Sequence, residues 1–111
     1  MEKKIYDTNV IIGLWKSNVR RLEAYTTIFN VIEFPKTLLI RDLTVLYPTR
    51  EDFNEAILIA KDLLKIGKPV GAIDIIMASI ALRKGLTIVT DDQDFQNIKE
   101  VRPQLEIKYK Q

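Results

Sequence analysis

The run Leu86-Thr87-Ile88-Val89-Thr90 constrains the fold more than any other segment. It favours β structure throughout and has no polar alternation, the pattern of a strand covered on both faces. If its neighbours are parallel, helical crossovers must join them. The rest of the chain supplies them. Lys4-Ile5-Tyr6 is predicted as a short strand ending at Asp7, and Thr8-Asn9 open an apolar-periodic helix through Trp15. Leu22 to Thr26 is a second strand. Thr27 is placed to cap a helix from Ile28 to Phe34, and Pro35 ends or kinks it. Lys36 to Arg41 is expected as a separate helical piece, and Leu43 to Tyr47 as a strand closed by Pro48.

Two stronger helices follow. Thr49 and Asp52 have capping-box spacing. Phe53, Ala56, Ile57, Ala60, Leu63 and Leu64 then fit a helical period, and Gly67 supplies the stop. Ala72 to Lys84 is apolar on almost every side, which predicts a central helix ended by Gly85. Phe95 to Glu100 reads as a short helix and Leu105 to Tyr109 as an edge strand. Strands alternating with helices give an α/β class with a mostly parallel sheet. No repeat, low-complexity tract or linker divides the sequence, so residues 1–111 are read as a single domain.

Two absences narrow the chemistry. The 111 residues include no Cys and no His. That excludes a disulfide framework, a thiol nucleophile, a Ser-His relay and a thiolate or imidazole metal site. Carboxylates, lysines, hydroxyls or a borrowed ion must do the work. Charged residues interrupt the start, and the longest apolar stretch, Val70 to Leu82, contains Asp74 and is too short to cross a bilayer. A cytoplasmic protein with no membrane contact is expected. The formal net charge is only +2, but if five acids gathered around an ion, the remaining surface would carry +7. An acidic pit with a basic rim is thus compatible with the composition.

The acids fall at informative places. Asp7 ends the first strand, and Asp91-Asp92-Gln93-Asp94 follow Thr90. Ligands of parallel α/β sheets collect outside the carboxyl ends of strands. Glu33 and Asp74 stand where the pattern alone would put hydrophobes. Each has a plainer role as well: Asp7 as a helix cap, Asp74 as a favourable charge in a first helical turn, Glu33 reaching back to a donor or to water, and the last group as a solvated turn. Thr90 and Asn9 can likewise be a strand end and a helix start, and Trp15 a core or interface residue. Lys16, Arg20, Arg21 and Lys36 could meet phosphates, although a solvated basic surface accounts for each alone. Jointly, four elements place an acid at a rim or in an apolar segment. Such a cluster repels itself, and a divalent ion relieves it. Oxygen-only ligands point to Mg²⁺ or Mn²⁺.

In this order the motifs resemble the PIN-domain ribonucleases, and within them the VapC-like toxins of toxin–antitoxin pairs. They are Tyr6-Asp7-Thr8-Asn9, Glu33 in a short apolar helix, Gly71-Ala72-Ile73-Asp74 opening a helix, and Val89-Thr90-Asp91-Asp92-Gln93-Asp94-Phe95. The resemblance runs from about Ile5 to Ile98.

It implies a three-layer α/β/α domain holding Mg²⁺ or Mn²⁺ in an acidic pocket that cuts RNA. Asp7, Glu33, Asp74 and Asp92 match the family's four acids, and Asp94 a further acid of many members. Asp7, Asp74, Asp92 and Asp94 are the implied metal ligands. Thr90 matches the hydroxyl before the fourth acid, and Asn9 a polar residue near the site. Asp91 falls at a variable position. A cognate antitoxin and a homodimer are the implied partners, and the products would carry 5′-phosphate and 3′-hydroxyl ends. The spacings from Asp7 to Glu33 and from Glu33 to Asp74 make the chain short for the group, and Pro35 interrupts the expected helix. Two alternatives follow: a PIN-like binding module without cleavage, and a phosphorylatable receiver-type domain using Lys99 or Lys108.

Overall fold

The computed structural model describes residues 2–110. The chain runs β1 (Lys4–Tyr6), α1 (Thr8–Lys16), β2 (Arg21–Thr27), α2 (Ile28–Glu33), a 3-10 turn (Pro35–Leu39), β3 (Arg41–Leu46), α3 (Arg50–Lys65), α4 (Ala72–Lys84), β4 (Thr87–Thr90), α5 (Asp94–Val101) and β5 (Ile107–Tyr109). All five strands join one sheet in the order β3-β2-β1-β4-β5, and every pairing is parallel. β4 is buried along its whole length, as its apolar run requires.

The order reverses between β1 and β4. From β1 the chain steps outward to β2 and β3, then crosses back to β4 and β5. Right-handed crossovers therefore place the helices of the two halves on opposite faces. α1 packs with α2, while α3, α4 and α5 pack together. The result is the three-layer α/β/α, PIN-like architecture. The main core lies between the sheet and α3–α5, built from Ile5, Ile59, Leu63, Met77, Ile80, Ile88, Phe95 and Ile98. α4 is the central helix expected from its composition, and Gly85 ends it in a left-handed conformation at φ 67°.

Two local expectations change. Arg41 already belongs to β3, so the piece after Pro35 is a 3-10 turn with Leu38 and Leu39 exposed. A proline removes a donor and presets φ, which favours one tight turn over a continued helix. In α3 the inward face is Asp52, Ala56, Ile59 and Leu63, whereas Phe53, Ile57 and Leu64 face outward. Two adjacent apolar columns fit the helical period equally well. A polar contact selects between them: Asp52 is drawn inward, accepting bonds from Arg83 Nε at 2.7 Å and Nη2 at 2.9 Å. The Thr49–Asp52 capping box forms as its spacing predicts.

Candidate active site

Pairing of Tyr6 with Val89 sets the ends of β1 and β4 side by side, and Asp7 N donates to Val89 O at 3.0 Å. This is the point where the strand order reverses, the usual ligand crevice of an open parallel sheet. An open pocket of about 490 Å³ lies there. Its lining includes Asp7, Asn9, Glu33, Asp74 and Asp92. Four separate elements and connections thus bring their acids to one rim. A groove of about 570 Å³ elsewhere mixes Glu2, Glu23 and Asp42 with Lys3, Lys4 and Arg21, so its charges offset one another.

Asp7 serves both as cap and as pocket acid. Its Oδ1 accepts from Thr8 N at 2.8 Å, while Oδ2 accepts from the Thr90 hydroxyl at 2.9 Å. Thr90, fully buried, also receives Asp92 N at 2.9 Å, and Asp92 Oδ1 receives Asp94 N at 2.9 Å. One hydroxyl therefore ties the β1 acid to the loop after β4. Burial raises the Asp7 carboxyl above its ordinary value. The bonds from Thr90 and Thr8 oppose that shift, and Asp92 and Glu33 add to it.

Asp74 sits in the first turn of α4. Burial, and then the charges of Asp7, Asp92, Asp94 and Glu33, push its carboxyl up to about 7. The helix N-terminus favours the anion but does not offset four like charges. Asp74, Asp92 and Asp94 each offer one carboxylate oxygen, all within 4.8 Å of one another. Ligand oxygens on opposite sides of Mg²⁺ stand about 4.2 Å apart, so this grouping is close to the spread that one ion spans. The donor set and the mutual repulsion both fit a hard divalent cation. Asp7 and Glu33 line the pocket outside this group of three, and Asp91 stands outside both.

Glu33 closes α2 and is exposed, not buried in an apolar segment as its neighbours suggested. Its Oε1 accepts from the Thr8 hydroxyl at 2.7 Å, and Thr8 Oγ1 in turn accepts from Asn30 Nδ2 at 2.7 Å. Asn30 is itself fixed by the α2 capping box, its Oδ1 accepting from Thr27 N at 3.0 Å. Sequence reasoning missed Thr8 and Asn30 as site-supporting residues. The signal for Asn30 was its position three residues after Thr27, where a capping-box partner belongs. Thr8 opens a helix and stands in the Tyr6–Asn9 motif, and neither fact marks it as the partner of Glu33. Asn9 lines the pocket with an exposed side chain.

Of the four basic candidates, Arg21 is elsewhere, paired with Asp42. No lysine lines the pocket among the described residues. Lys99 is engaged by Pro103 O and Leu105 O, so the receiver-type alternative lacks its essential cation there.

No family model matches the chain, and no curated protein does. Solved structures match its fold closely. A chain of DNA-bound VapBC from Salmonella typhimurium aligns at TM-score 0.75 and 22% identity, covering 98% of each chain. One of VapBC-1 from nontypeable Haemophilus influenzae gives 0.75 and 24%, covering 96% of each. A toxin–antitoxin complex from Klebsiella pneumoniae gives 0.67 and 12%, covering 84% of this chain and 90% of that one. The first two alignments span almost the whole of both chains. No helix among the described residues is long and apolar enough to cross a membrane.

Proposed function

We propose that the whole chain acts as one VapC-like PIN unit: a Mg²⁺- or Mn²⁺-dependent endoribonuclease, the toxin of a toxin–antitoxin pair. The observation that carries the reading is the convergence of Asp7, Glu33, Asp74 and Asp92 on one pocket at the switch between β1 and β4. The fold shared with chains of VapBC and toxin–antitoxin complexes supports it. A cognate antitoxin, a homodimer and a cytoplasmic setting belong to the same reading.

In it, Asp74, Asp92 and Asp94 hold the ion and Asp7 completes its surroundings. When bound, the ion supplies an acidified water and neutralises charge at the scissile phosphate. Thr90 holds Asp7 and the Asp92 backbone in register. Thr8 holds Glu33 Oε1, leaving Oε2 to orient the attacking water. Asn9, exposed at the rim, is positioned to meet the substrate. The products carry 5′-phosphate and 3′-hydroxyl ends.

The test is cleavage of end-labelled single-stranded RNA with Mn²⁺, Mg²⁺ or EDTA, beside identically purified Asp74→Asn protein. Metal-dependent cutting that disappears in the variant is expected. A folded Asp74→Asn protein cutting at the wild-type rate overturns the assignment. Metal binding by the wild type, with no cutting of varied RNAs, would instead favour a binding module.

A further inference from the structure

Trp15, the only tryptophan, lies about 10 Å along α1 from Thr8, at about 1.5 Å per residue. Its indole meets Phe34 edge-on, with ring centres 6.4 Å apart, and Phe34 directly follows Glu33. Arg20 lies over the indole with Cζ 3.4 Å from the ring centre, and Lys36 Nζ is 5.9 Å from it. Two cations therefore share one aromatic ring beside an acidic pocket. Among the described residues, neither forms an ion pair with a carboxylate.

The Arg20 guanidinium is held in one plane. Its Nη1 donates to Trp15 O at 2.9 Å and Val19 O at 3.1 Å, and its face rests on the indole. The Nε–Nη2 edge has no partner among the described residues. That same edge is how Arg83 grips Asp52, at 2.7 and 2.9 Å. A fixed, unpaired fork suits an anion with two oxygens in a plane, and little side-chain freedom remains to be lost on binding. The setting favours a phosphodiester over a carboxylate. A polyanionic strand entering a pocket lined by four acids needs cations beside it, and phosphate contacts set the register of a strand without reading its bases.

Resting on the ribonuclease reading above, we propose that Arg20 and Lys36, mounted on Trp15, hold a phosphate of the RNA strand flanking the one that is cut. Arg20 grips it through Nε and Nη2, and Lys36 adds charge. The pair positions the strand and leaves base preference to other contacts.

Trp15 itself reports on the test. A short mixed-sequence single-stranded RNA is titrated into Asp74→Asn protein with Mg²⁺ at low salt. Indole emission is followed, with anisotropy of labelled RNA as a second readout. A saturable emission change is expected. Adding Arg20→Gln should weaken binding about tenfold or more and lower the slope of log affinity against log salt by about 0.7. Arg20→Lys should restore the slope but only part of the affinity. Lys36→Gln should weaken binding in the same direction, and Lys61→Gln, on α3 in the other helical layer, should leave it unchanged. Melting temperatures verify folding. If Arg20→Gln does not fold, Lys36→Gln, whose side chain is exposed, carries the test. Parent-like affinity in the folded variants overturns the proposal. So does Trp15 emission that responds to an acidic peptide and not to RNA, which would assign the fork to a protein partner. Metal-dependent cutting by the wild type with silent Trp15 sinks this proposal alone; failure to cut sinks the ribonuclease reading instead.

Discussion

Thr90 donates its hydroxyl to Asp7 Oδ2 at 2.9 Å while accepting Asp92 N, also at 2.9 Å, so one buried side chain sets the spacing of two pocket acids. Thr90→Val keeps the shape and removes both bonds. It should cost about 1–3 kcal/mol, the range for leaving buried polar groups unpaired. RNA cleavage should fall at least about tenfold, since 1.36 kcal/mol of lost positioning is a tenfold rate loss. Thr90→Ser should retain most of both. Melting curves and cleavage rates check this, and a Val variant with wild-type values would remove Thr90 from the site.

Stability without metal should depend on pH through Asp74. Its folded carboxyl titrates at about 7, against an ordinary 3.8. Between those values the folded protein binds more protons than the unfolded chain, so stability falls as pH rises from about 4 to about 7. Asp7, also raised, acts in the same direction. Asp74→Asn cannot titrate and relieves its neighbours, so its melting temperature in EDTA should vary less over this range and exceed the wild type's at neutral pH. Parallel curves for the two proteins would contradict the electrostatic account.

Metal should reverse that loss. A cation displaces the Asp74 proton and stabilises by mass action, so Mn²⁺ should raise the melting temperature more at pH 8 than at pH 5. Asp74→Asn and Asp92→Asn should each lose most of the shift, while Asp91→Asn should keep it. An equal response in all three variants would point to ions bound elsewhere.

Thr8 and Glu33 should separate positioning from metal binding. Thr8→Val removes the 2.7 Å bond to Glu33 Oε1 and leaves Asn30 Nδ2 without its acceptor. Cleavage should fall about tenfold or more while the Mn²⁺-induced melting shift stays intact. Loss of the metal response would mean that Thr8 shapes the whole pocket and not Glu33 alone.

Asp52 and Arg83 stabilise far from the chemistry. Burial pushes Asp52 up, but the Arg83 and Thr49 contacts outweigh it and hold its carboxyl below the ordinary value. That contribution is present above about pH 4 and is lost as pH falls through the lowered folded value. Arg83→Ala should cost about 2–3 kcal/mol, less than the about 3–5 kcal/mol of a fully buried pair because Arg83 is partly solvated. Cleavage per folded molecule should not change.

Sequence pattern sufficed where one periodicity dominated. The strand Leu86–Thr90, the all-round apolar helix at Ala72–Lys84 and the caps at Thr27 and Thr49 needed only local propensity. The parallel sheet followed from their alternation. It failed where two local solutions were equally good, as with the two apolar columns of α3 and the turn after Pro35. Around the pocket, Asp7, Asp74, Asp92 and Thr90 were legible as candidates because acids and a hydroxyl stood at strand ends and a helix start. Thr8 and Asn30 were not, because their local roles as helix opener and capping partner already accounted for them.

By itself, then, the chain's order of residues determined the elements, their α/β class and the acids available to a site, since each depends on neighbours a few positions apart. Only the tertiary structure decided which face of α3 turns inward, that Asp7 and Asp92 share one hydroxyl, and that Arg20 lies flat on Trp15 with an unpaired edge. Those outcomes arise between groups brought together by strand order and crossover, where competing contacts differ by about 1–3 kcal/mol, and local propensity carries no record of which contact prevails.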